Sequence, residues 1–430
     1  MGFWHKKFHK MLKINDLRTF SGLRMLNFCG KMVANASFGL FLAFSGLLLG
    51  ACNNNDESAK KTADCGELPA LEFSKNLKVG KLCNENVAEI RSIVGRDTLV
   101  KRFKLGEAPQ KVVALSSAQI GYMLRLGLEN RIVGVGEGKY IADSALYARV
   151  AAGQVAEVGS GSTISLEKMV ALQPDLVMSF ATGGGHDDYE RIEALKLPLM
   201  LTSEWQEDSP LAKAEWIKLY GMMFGVEALA DSVFEQSKRG YLQARKEIPG
   251  QARDDKEERA RDDKEESVRN DEGKQAQDDN RACPRVLVGM SYGGVWYAPG
   301  GNSFTARLIK DAGGCYLWAA DTSRELQFTL EEIMKIADSA DVWVNPGMFG
   351  SPDELLAAEP RIKYIKAFKE KRVCQNDGRK GPGGGNDFYE SAVAYPAEML
   401  QNLQECIQKA TNGADSARKG FDWYHNIFIF

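Results

Sequence analysis

Residues Ile164–Gly184 read ISLEKMVALQPDLVMSFATGG, and this stretch decides the fold class. Its first part places apolar residues at helical spacing after Ser165, and serine is a residue type that commonly caps a helix N-terminus. Its second part, DLVMSF, is a short apolar run typical of a buried strand in a parallel sheet. A helix leading into such a strand predicts an α/β unit.

The same pattern occurs a second time, at Phe328–Gly347, in FTLEEIMKIADSADVWVNPG. Here Thr329 and Glu332 have the spacing of a capping box, and DVWVNP supplies the strand. Each half of the chain also opens with a β-like run, KVVALSS or PRVLVGMS, followed by a helical stretch, AQIGYMLRLGL or SFTARLIKDAGG. Strands that alternate with helices predict two α/β lobes, which we place at 71–225 and 283–412.

A long helical pattern lies between the two lobes. The stretch VEALADSVFEQSKRGYLQARKEI has apolar residues at helical spacing. A helix over 226–249 would be about 35 Å long at 1.5 Å per residue. We therefore predict an α/β fold of two Rossmann-like lobes joined by a single long α-helix.

A charged insertion, 250–282, separates this helix from the second lobe. Within it, Ala252–Ser267 reads ARDDKEERARDDKEES, an eight-residue unit that repeats almost perfectly. Without aromatic residues and with almost no aliphatic ones, the insertion cannot bury a core. We expect it to lie on the surface, either disordered or as an extended charged helix.

The N-terminal residues 1–51 have the pattern of an export signal. A basic region is followed by the uncharged run Met32–Ala51, and small residues come just before Cys52. The ending LGAC resembles a bacterial lipoprotein signal, which predicts that Cys52 carries lipid. The alternative is a transmembrane anchor that is retained. The polar stretch 52–70 predicts a flexible tether, and 413–430 forms a C-terminal tail.

Charge and cysteine content limit the possible partners. Seven basic residues and one acidic residue lie before Cys52, which leaves 48 basic and 57 acidic residues and a net charge of −9. An acidic chain is not expected to bind nucleic acid. The six later cysteines form no C-x-x-C motif, so no zinc or redox motif is indicated. Export permits disulfides, and Cys65 with Cys83 is the first pair to test because they are near each other in sequence.

Four stretches carry a resemblance to a known family: SLEKMVALQPDLV, SPLAKAEWIKLYGMMFG, WYAPGGNSFTARLIKDAGG and GGNDFYESAVAYPAEML. The chain resembles the substrate-binding lipoproteins of bacterial ABC importers for ferric siderophores, haem and vitamin B12. The resemblance spans Phe73 to Ile407 apart from the charged insertion. It implies a ligand cleft between the lobes, delivery of a metal chelate to a membrane permease, and no catalysis. We expect a monomer, lipid-anchored at the periplasmic face of a membrane.

Candidate ligand residues follow the predicted strands, because α/β folds bind ligands at the carboxyl ends of their strands. Aromatic side chains there would suit a large ligand, although core packing is the alternative for each of them. For an anionic chelate, Arg307 or Arg324 could supply positive charge. The candidate ligand-binding residues are Ser116, Thr182, Trp205, Ser291, Trp296, Tyr297, Phe388 and Tyr389.

One motif suggests a different class of protein, a secreted α/β hydrolase. The sequence Gly289–Gly293 fits the G-x-S-x-G pattern of a nucleophile elbow, with Ser291 as the nucleophile. An elbow needs a helix directly after the turn, whereas VWYAPGG follows here and Pro299 opposes a helix. His425, the histidine downstream of Ser291, lies in an aromatic tail. We therefore keep hydrolysis as the alternative and binding as the favoured function.

A bound nucleotide or bare metal ion is not expected. The stretches ATGGGHDD and RKGPGGGND lack the G-K-[ST] ending of a phosphate-binding loop. His186 and His425 are the only histidines after the signal, which are few ligands for zinc or manganese. We expect no cofactor, and any metal should arrive inside a chelate.

Acidic residues in equivalent loops of the two halves are candidates for contact with the permease. They follow the strands DLVMSF and DVWVNP. The family resemblance implies that one carboxylate on each lobe meets arginines of the permease. The alternative is that these acids sit at helix N-termini, where they favour the helix dipole. The candidate docking residues are Asp187, Asp188, Asp353 and Glu354.

Overall fold

The computed structural model describes residues 66–160, 163–182, 187–248, 283–412 and 423–428. The predicted signal and lipidation site, and all of the charged insertion, lie outside these ranges.

The described residues form sixteen strands and twelve α-helices. The strands are β1 Leu77–Leu82, β2 Glu85–Val94, β3 Asp97–Leu105, β4 Val112–Ala114, β5 Ile132–Val135, β6 Ala156–Glu157, β7 Leu176–Ser179, β8 Leu199–Leu201, β9 Arg285–Val288, β10 Met290–Tyr292, β11 Val295–Pro299, β12 Cys315–Tyr316, β13 Glu325–Thr329, β14 Val342–Val344, β15 Val373–Gln375 and β16 His425–Asn426. The helices are α1 Ser117–Arg125, α2 Ser144–Ala151, α3 Leu166–Leu172, α4 Tyr189–Ala194, α5 Pro210–Glu215, α6 Ile217–Phe224, α7 Glu227–Lys246, α8 Phe304–Asp311, α9 Leu330–Ile336, α10 Pro352–Ala358, α11 Lys366–Lys369 and α12 Pro396–Asn412.

The first lobe is built on a five-stranded parallel sheet in the order β6-β5-β4-β7-β8. Its central strands β4 and β7 are short and buried along their whole length. This explains their continuous apolar sequence, since helices cover both faces of such a sheet. The strand order reverses at β4, because β5 and β6 lie on one side of it and β7 and β8 on the other. Doubly wound folds open a crevice for ligands at such a reversal.

The second lobe repeats this design with a sheet in the order β12-β9-β14-β15-β16. The first four strands are parallel, and β16 pairs antiparallel with β15 at the edge. Both halves are thus Rossmann-like, as the alternating strand and helix patterns predicted. Residues His425–Asn426, which belong to the segment predicted as a C-terminal tail, form the edge strand of this sheet.

Helix α7 joins the lobes and spans about 30 Å for its 20 residues. Ala230 and Phe234, in its first half, belong to the apolar core of the first lobe. Tyr241 and Ala244, in its second half, belong to the core of the second lobe. One helix is therefore buried in both cores, which confirms the predicted fold class.

Two smaller antiparallel sheets were not predicted. Strands β1, β2 and β3 form a meander whose Leu77 and Ile90 pack into the core of the first lobe. Strands β10, β11 and β13 form a second small sheet in the second lobe. The first sheet forms part of the wall of the cleft between the lobes. The second sheet holds three of the predicted ligand-binding residues, which therefore do not line that cleft.

Two disulfides link elements of the second lobe. Cys374 of β15 is joined to Cys406 of α12, and Cys283 is joined to Cys315 of β12. Cys83 is also disulfide-bonded, but Cys65 lies outside the described residues, so that predicted pair stays a prediction. Among the helices of the described ranges, none combines the length and apolar character needed to span a membrane.

Candidate functional site

A cavity of about 930 Å³ opens between the two lobes. Residues that follow the carboxyl ends of β4, β7 and β8 line it from the first lobe, and residues that follow β14 and β15 line it from the second. Five of the eight predicted ligand residues are among those that line it. They are Ser116, Thr182, Trp205, Phe388 and Tyr389.

Ser116 reaches the cavity because it caps helix α1. Its side chain accepts a hydrogen bond from the backbone N–H of Gln119, which completes a capping box. The Gln119 side chain then donates to Thr202 Oγ1 at 2.9 Å and to the Ser179 carbonyl at 3.2 Å. This buried amide ties together the ends of three neighbouring strands, and so fixes the floor of the first lobe's half of the cleft.

Trp205 stands on a turn of 3₁₀ helix, Glu204–Gln206, that follows β8. The residues on either side of it are buried, whereas Trp205 itself is 43% exposed. Gln206 fixes the turn by exchanging two hydrogen bonds with the backbone of Ile93, at 2.7 and 2.6 Å. The indole is therefore presented to the cleft by a rigid support shared with the meander.

The second lobe supplies the facing aromatic wall. Tyr389 is 50% exposed, while Phe388 is partly buried and packs edge-on against both Tyr389 and Tyr424 at 5.5 Å. Asn345 and Asn376 line the cavity just after β14 and β15. An exposed aromatic ring on each lobe, with amides beside the second, suits a broad ligand that is partly apolar.

Three predicted ligand residues do not line the cleft. Trp296 is fully buried, stacks on Trp343 and donates its indole N–H to the Val288 carbonyl at 3.0 Å. Ser291 is buried in β10, and Tyr297 lies on β11 of the same small sheet. The sequence placed them at the end of a parallel strand. Gly289, at φ +99°, instead turns the chain from β9 into an antiparallel hairpin.

The hairpin is also incompatible with a nucleophile elbow at Ser291. An elbow joins a strand to a helix, whereas Ser291 lies within a strand and pairs with Trp296 of the next strand. His425 Nε2 lies 2.7 Å from Asp377 Oδ1 in the edge region of the second sheet. The hydrolase alternative is not supported.

Most charged residues of the cleft were not predicted from the sequence, because they come from the meander, from helix α5 and from loops outside the repeated pattern. They are Lys75, Arg91, Glu204, Glu207, Asp208, Lys213 and Arg324, of which only Arg324 was considered. Arg307, the other arginine considered, is a helix α8 residue bonded to Asp311 at 3.1 Å and does not line the cavity.

Two groups of opposite charge lie beneath the cleft surface. Burial raises the pKa of Glu204, since the charged form loses its hydration, and Oε2 of this carboxyl has no hydrogen-bond partner in the described structure. Burial lowers the pKa of Lys213 to about 8, although the fields of Glu204 and Glu207 oppose this. The Lys213 ammonium lies 3.9 Å from the centre of the Phe304 ring in the second lobe.

The four predicted docking residues differ in exposure. Asp353 and Glu354 are exposed at the start of α10, where Glu354 also accepts from the Gly350 N–H at 2.9 Å. Asp187 is half-buried and accepts from the backbone and hydroxyl of Thr182, and Asp188 is buried. The second-lobe pair is thus exposed, whereas Asp187 bonds its own loop and the Asp188 carboxylate lies 3.6 Å from the Arg191 guanidinium of α4.

Comparison with known proteins finds a family model that matches part of the chain. Residues 112–260 match the family model described as periplasmic binding protein. An uncharacterized lipoprotein of Methanocaldococcus jannaschii is 22% identical over 322 residues, which are 72% of this chain and 67% of that protein.

Several solved structures resemble the chain. A periplasmic binding protein from Veillonella parvula has a TM-score of 0.50 at 14% identity, over 74% of this chain and 97% of that one. An ABC-type Fe3+-hydroxamate transport system structure from Saccharomonospora viridis has a TM-score of 0.49 at 19% identity, over 71% and 96%. A periplasmic heme binding protein of Vibrio cholerae has a TM-score of 0.49 at 15% identity, over 69% and 98%.

The matched segment begins at β4 of the first lobe and includes the whole of the bridging helix α7, and it ends before the second lobe. Within the described residues, no three histidine, cysteine or acidic side chains are grouped as a metal site. Residues 112–260 are therefore similar to the periplasmic binding protein family, and the fold of the chain is similar to that of the Veillonella parvula periplasmic binding protein.

Proposed function

We propose that this protein captures a metal chelate between its lobes and passes it to an ABC transporter permease. The observation that carries the proposal is the cavity of about 930 Å³, which both lobes line. Trp205 and Tyr389 offer exposed aromatic faces from opposite lobes. Chelates of the siderophore, haem or corrinoid kind are large, partly flat ligands, and aromatic rings contact such ligands with little loss of entropy.

Native mass spectrometry of the full chain with a panel of chelates tests the proposal. The panel contains ferric enterobactin, haemin, ferrichrome and cyanocobalamin. We expect a complex of one chelate per chain with at least one member, and loss of that complex in the double variant Trp205→Ala with Tyr389→Ala. Leu229→Ala with Val170→Ala, at exposed apolar residues outside the cleft, is the control. Equal binding by both double variants would show that the cleft is not the site.

We further propose that lipid on Cys52 holds the protein at the periplasmic face of a membrane. The sequence LGAC, and a relative that is itself called a lipoprotein, support this. The disulfides of the second lobe also suit an oxidising compartment outside the cytoplasm. Cys52→Ser should release the protein from the membrane fraction or leave it unprocessed. Normal membrane attachment of this variant would contradict lipidation at Cys52.

Permease docking is proposed to use the acidic side of α10. Substitution of Asp353 gives the clearest test, because this residue is exposed. Glu354 and Asp187 also accept hydrogen bonds within their own loops, and Asp188 is buried. Asp353→Lys should weaken permease binding while leaving chelate affinity unchanged, most clearly at low salt, where exposed charges are least screened. Asp338→Lys, on the same lobe outside this loop, is the control. Normal permease binding by Asp353→Lys would exclude this residue.

A further inference from the structure

The cleft carries positive charge that the protein itself does not neutralise. Arg91 of strand β2 and Arg324, in the loop before β13, line it from opposite lobes, and both side chains are exposed. In the described part of the chain no carboxylate lies within 4.0 Å of either guanidinium. Other arginines of the described chain, such as Arg102 and Arg361, do have such partners.

The remaining charges of the cleft largely cancel. Lys75 forms an ion pair with Asp208 at 2.8 Å. Glu204 is buried, Lys213 is partly buried, and the field of each acts on the other, so this pair adds no net charge when both groups are charged. Arg91 and Arg324 are therefore the cations left for a ligand.

Among the described residues that line the cleft, Glu207 is the one further carboxylate, and groups of the chain already bind its oxygens. Its oxygens accept from the hydroxyl of Ser74, the backbone N–H groups of Lys75 and Asn76, and the indole N–H of Trp216 at 2.9 Å. A carboxylate that already receives four donors has little acceptor capacity left to hydrogen-bond a ligand.

Helix orientation adds to the positive potential. Helix α1 begins behind Ser116 and helix α8 behind Ser303, and both capping serines line the cleft. The N-terminal end of a helix carries a partial positive charge, so each lobe presents one helix N-terminus and one unpaired arginine to the same cavity.

We infer that the cleft selects a chelate carrying at least two negatively charged groups, which Arg91 and Arg324 hold from opposite lobes. This inference rests on the proposed function and narrows its ligand class. A guanidinium binds carboxylate or catecholate oxygens through charge-assisted and often bidentate hydrogen bonds. The carboxylates of haem and the charged oxygens of a ferric catecholate share this chemistry. A neutral ferric hydroxamate lacks it, and cyanocobalamin, which is neutral overall, offers a single phosphodiester rather than two anionic groups.

Equilibrium titration of the purified full chain tests the inference. Haemin and ferric enterobactin are the anionic probes and distinguish the two sources of charge, while ferrichrome and cyanocobalamin are the neutral probes. We expect at least one anionic probe to bind more tightly than both neutral ones, with affinity falling as salt rises. Arg91→Gln or Arg324→Gln should weaken that probe roughly ten- to a hundredfold, the value of a charged hydrogen bond.

Control variants separate the ligand effect from folding. Arg102→Gln and Arg361→Gln remove surface arginines that lie outside the cleft and should leave the dissociation constant unchanged. Arg91→Lys and Arg324→Lys should recover part of the affinity, because they keep the charge without the bidentate geometry. Thermal melts should show all variants folded, as the two cleft arginines are exposed.

The outcomes of these titrations distinguish the anionic inference from the proposal of chelate capture. Tighter binding of a neutral probe, or unchanged affinity in the Arg91→Gln and Arg324→Gln variants, would overturn the anionic inference and leave chelate capture standing. Failure of every probe to bind would overturn both.

Discussion

Trp296 shows how far single residues could be assigned from the sequence. It follows a strand and lies in WYAPGG, next to Tyr297, so its type and position suited a ligand contact. Its burial depends on Gly289, whose positive φ turns the chain into a hairpin and directs the indole into the core beside Trp343. Nothing local in the sequence distinguishes this turn from a strand end. Trp205 and Tyr389, chosen by the same reasoning, do line the cleft because real strand ends position them.

Replacing Trp296 should therefore affect stability. Trp296→Ala removes a fully buried indole, its hydrogen bond to Val288 and its stacking on Trp343. We expect a loss of about 3–5 kcal/mol in the free energy of unfolding, measured by urea denaturation. Tyr297→Ala, one residue along the same strand, should cost less because that ring is 38% exposed. A weaker chelate affinity with unchanged stability would instead return Trp296 to the ligand site.

At the scale of elements, sequence periodicity predicted the features that depend on a local pattern, such as helix caps. The capping box of Thr329 with Glu332 and the cap at Ser165 are both present. The meander β1–β3 was missed, because its third strand alternates charged and partly buried residues and pairs only with its neighbour. It was this missed element that supplied Arg91 and the support for Trp205.

The glycine-rich loop RKGPGGGND illustrates a second limit. Its composition excluded a phosphate-binding motif but did not reveal its role. In the structure, a Cβ on Gly381 would lie 2.4 Å from Ala142 Cα, and one on Gly385 would lie 2.3 Å from the Tyr140 carbonyl oxygen. The glycines allow the second lobe to pack its backbone directly on the first. A contact of this kind depends on the arrangement of both lobes and has no local sequence signal.

Gly121 of helix α1 allows the same close approach from the other side. A Cβ there would lie 1.8 Å from the Glu390 carbonyl oxygen. Alanine normally stabilises a helix interior relative to glycine by about 1 kcal/mol. Gly121→Ala should do the reverse and cost about 1–3 kcal/mol, seen as a lower Tm. Gly106→Ala, which meets open space, is the control. A higher Tm for Gly121→Ala would show that the lobes are not packed this closely.

Glu390 makes the contact between the lobes sensitive to pH. Its carboxylate accepts from the backbone N–H groups of Ala142 and Asp143, at 2.9 and 2.8 Å, and burial raises its pKa to about 7. The folded chain therefore holds this proton more tightly than the unfolded chain, whose glutamate titrates near its usual value of about 4.3. This group's contribution to stability should be largest below that value, and should fall as pH rises to about 7.

Glu390→Gln should remove that part of the pH dependence. Unfolding measured from pH 5 to pH 8 should show the wild type losing roughly 1–3 kcal/mol more than the variant across this range. Glu398→Gln, at an exposed position of α12, should keep the wild-type profile. Identical profiles for all three proteins would mean that Glu390 titrates as it does in the unfolded chain.

At the scale of the whole molecule, two repeated halves and one long apolar-faced helix were enough to predict the architecture. The repeat fixes the lobes, and a helix buried in both cores fixes their connection. The cleft follows from the strand ends of both sheets, although the charges within it could not be assigned from their sequence positions. The disulfide partners also could not be paired, since six cysteines without a motif permit many pairings.

The Cys374–Cys406 disulfide should contribute to the stability of the whole fold. It joins β15 to α12 across a separation of 32 residues, and both cysteines are buried. The chain-entropy model gives a stabilisation of roughly 3–4 kcal/mol for a loop of this size. Cys374→Ala with Cys406→Ala should lower the Tm, and reductant should then lower it less than in the wild type. A wild-type Tm in the double variant would show that the bond adds nothing to stability.

The central claim is that a metal chelate lies between Trp205 and Tyr389. Anomalous X-ray scattering at the metal edge, from crystals grown with the chelate that binds in native mass spectrometry, locates that metal directly. We expect one dominant metal peak per chain, inside the cavity between the lobes. A dominant peak outside this cavity, or no bound metal at saturating chelate, would contradict it.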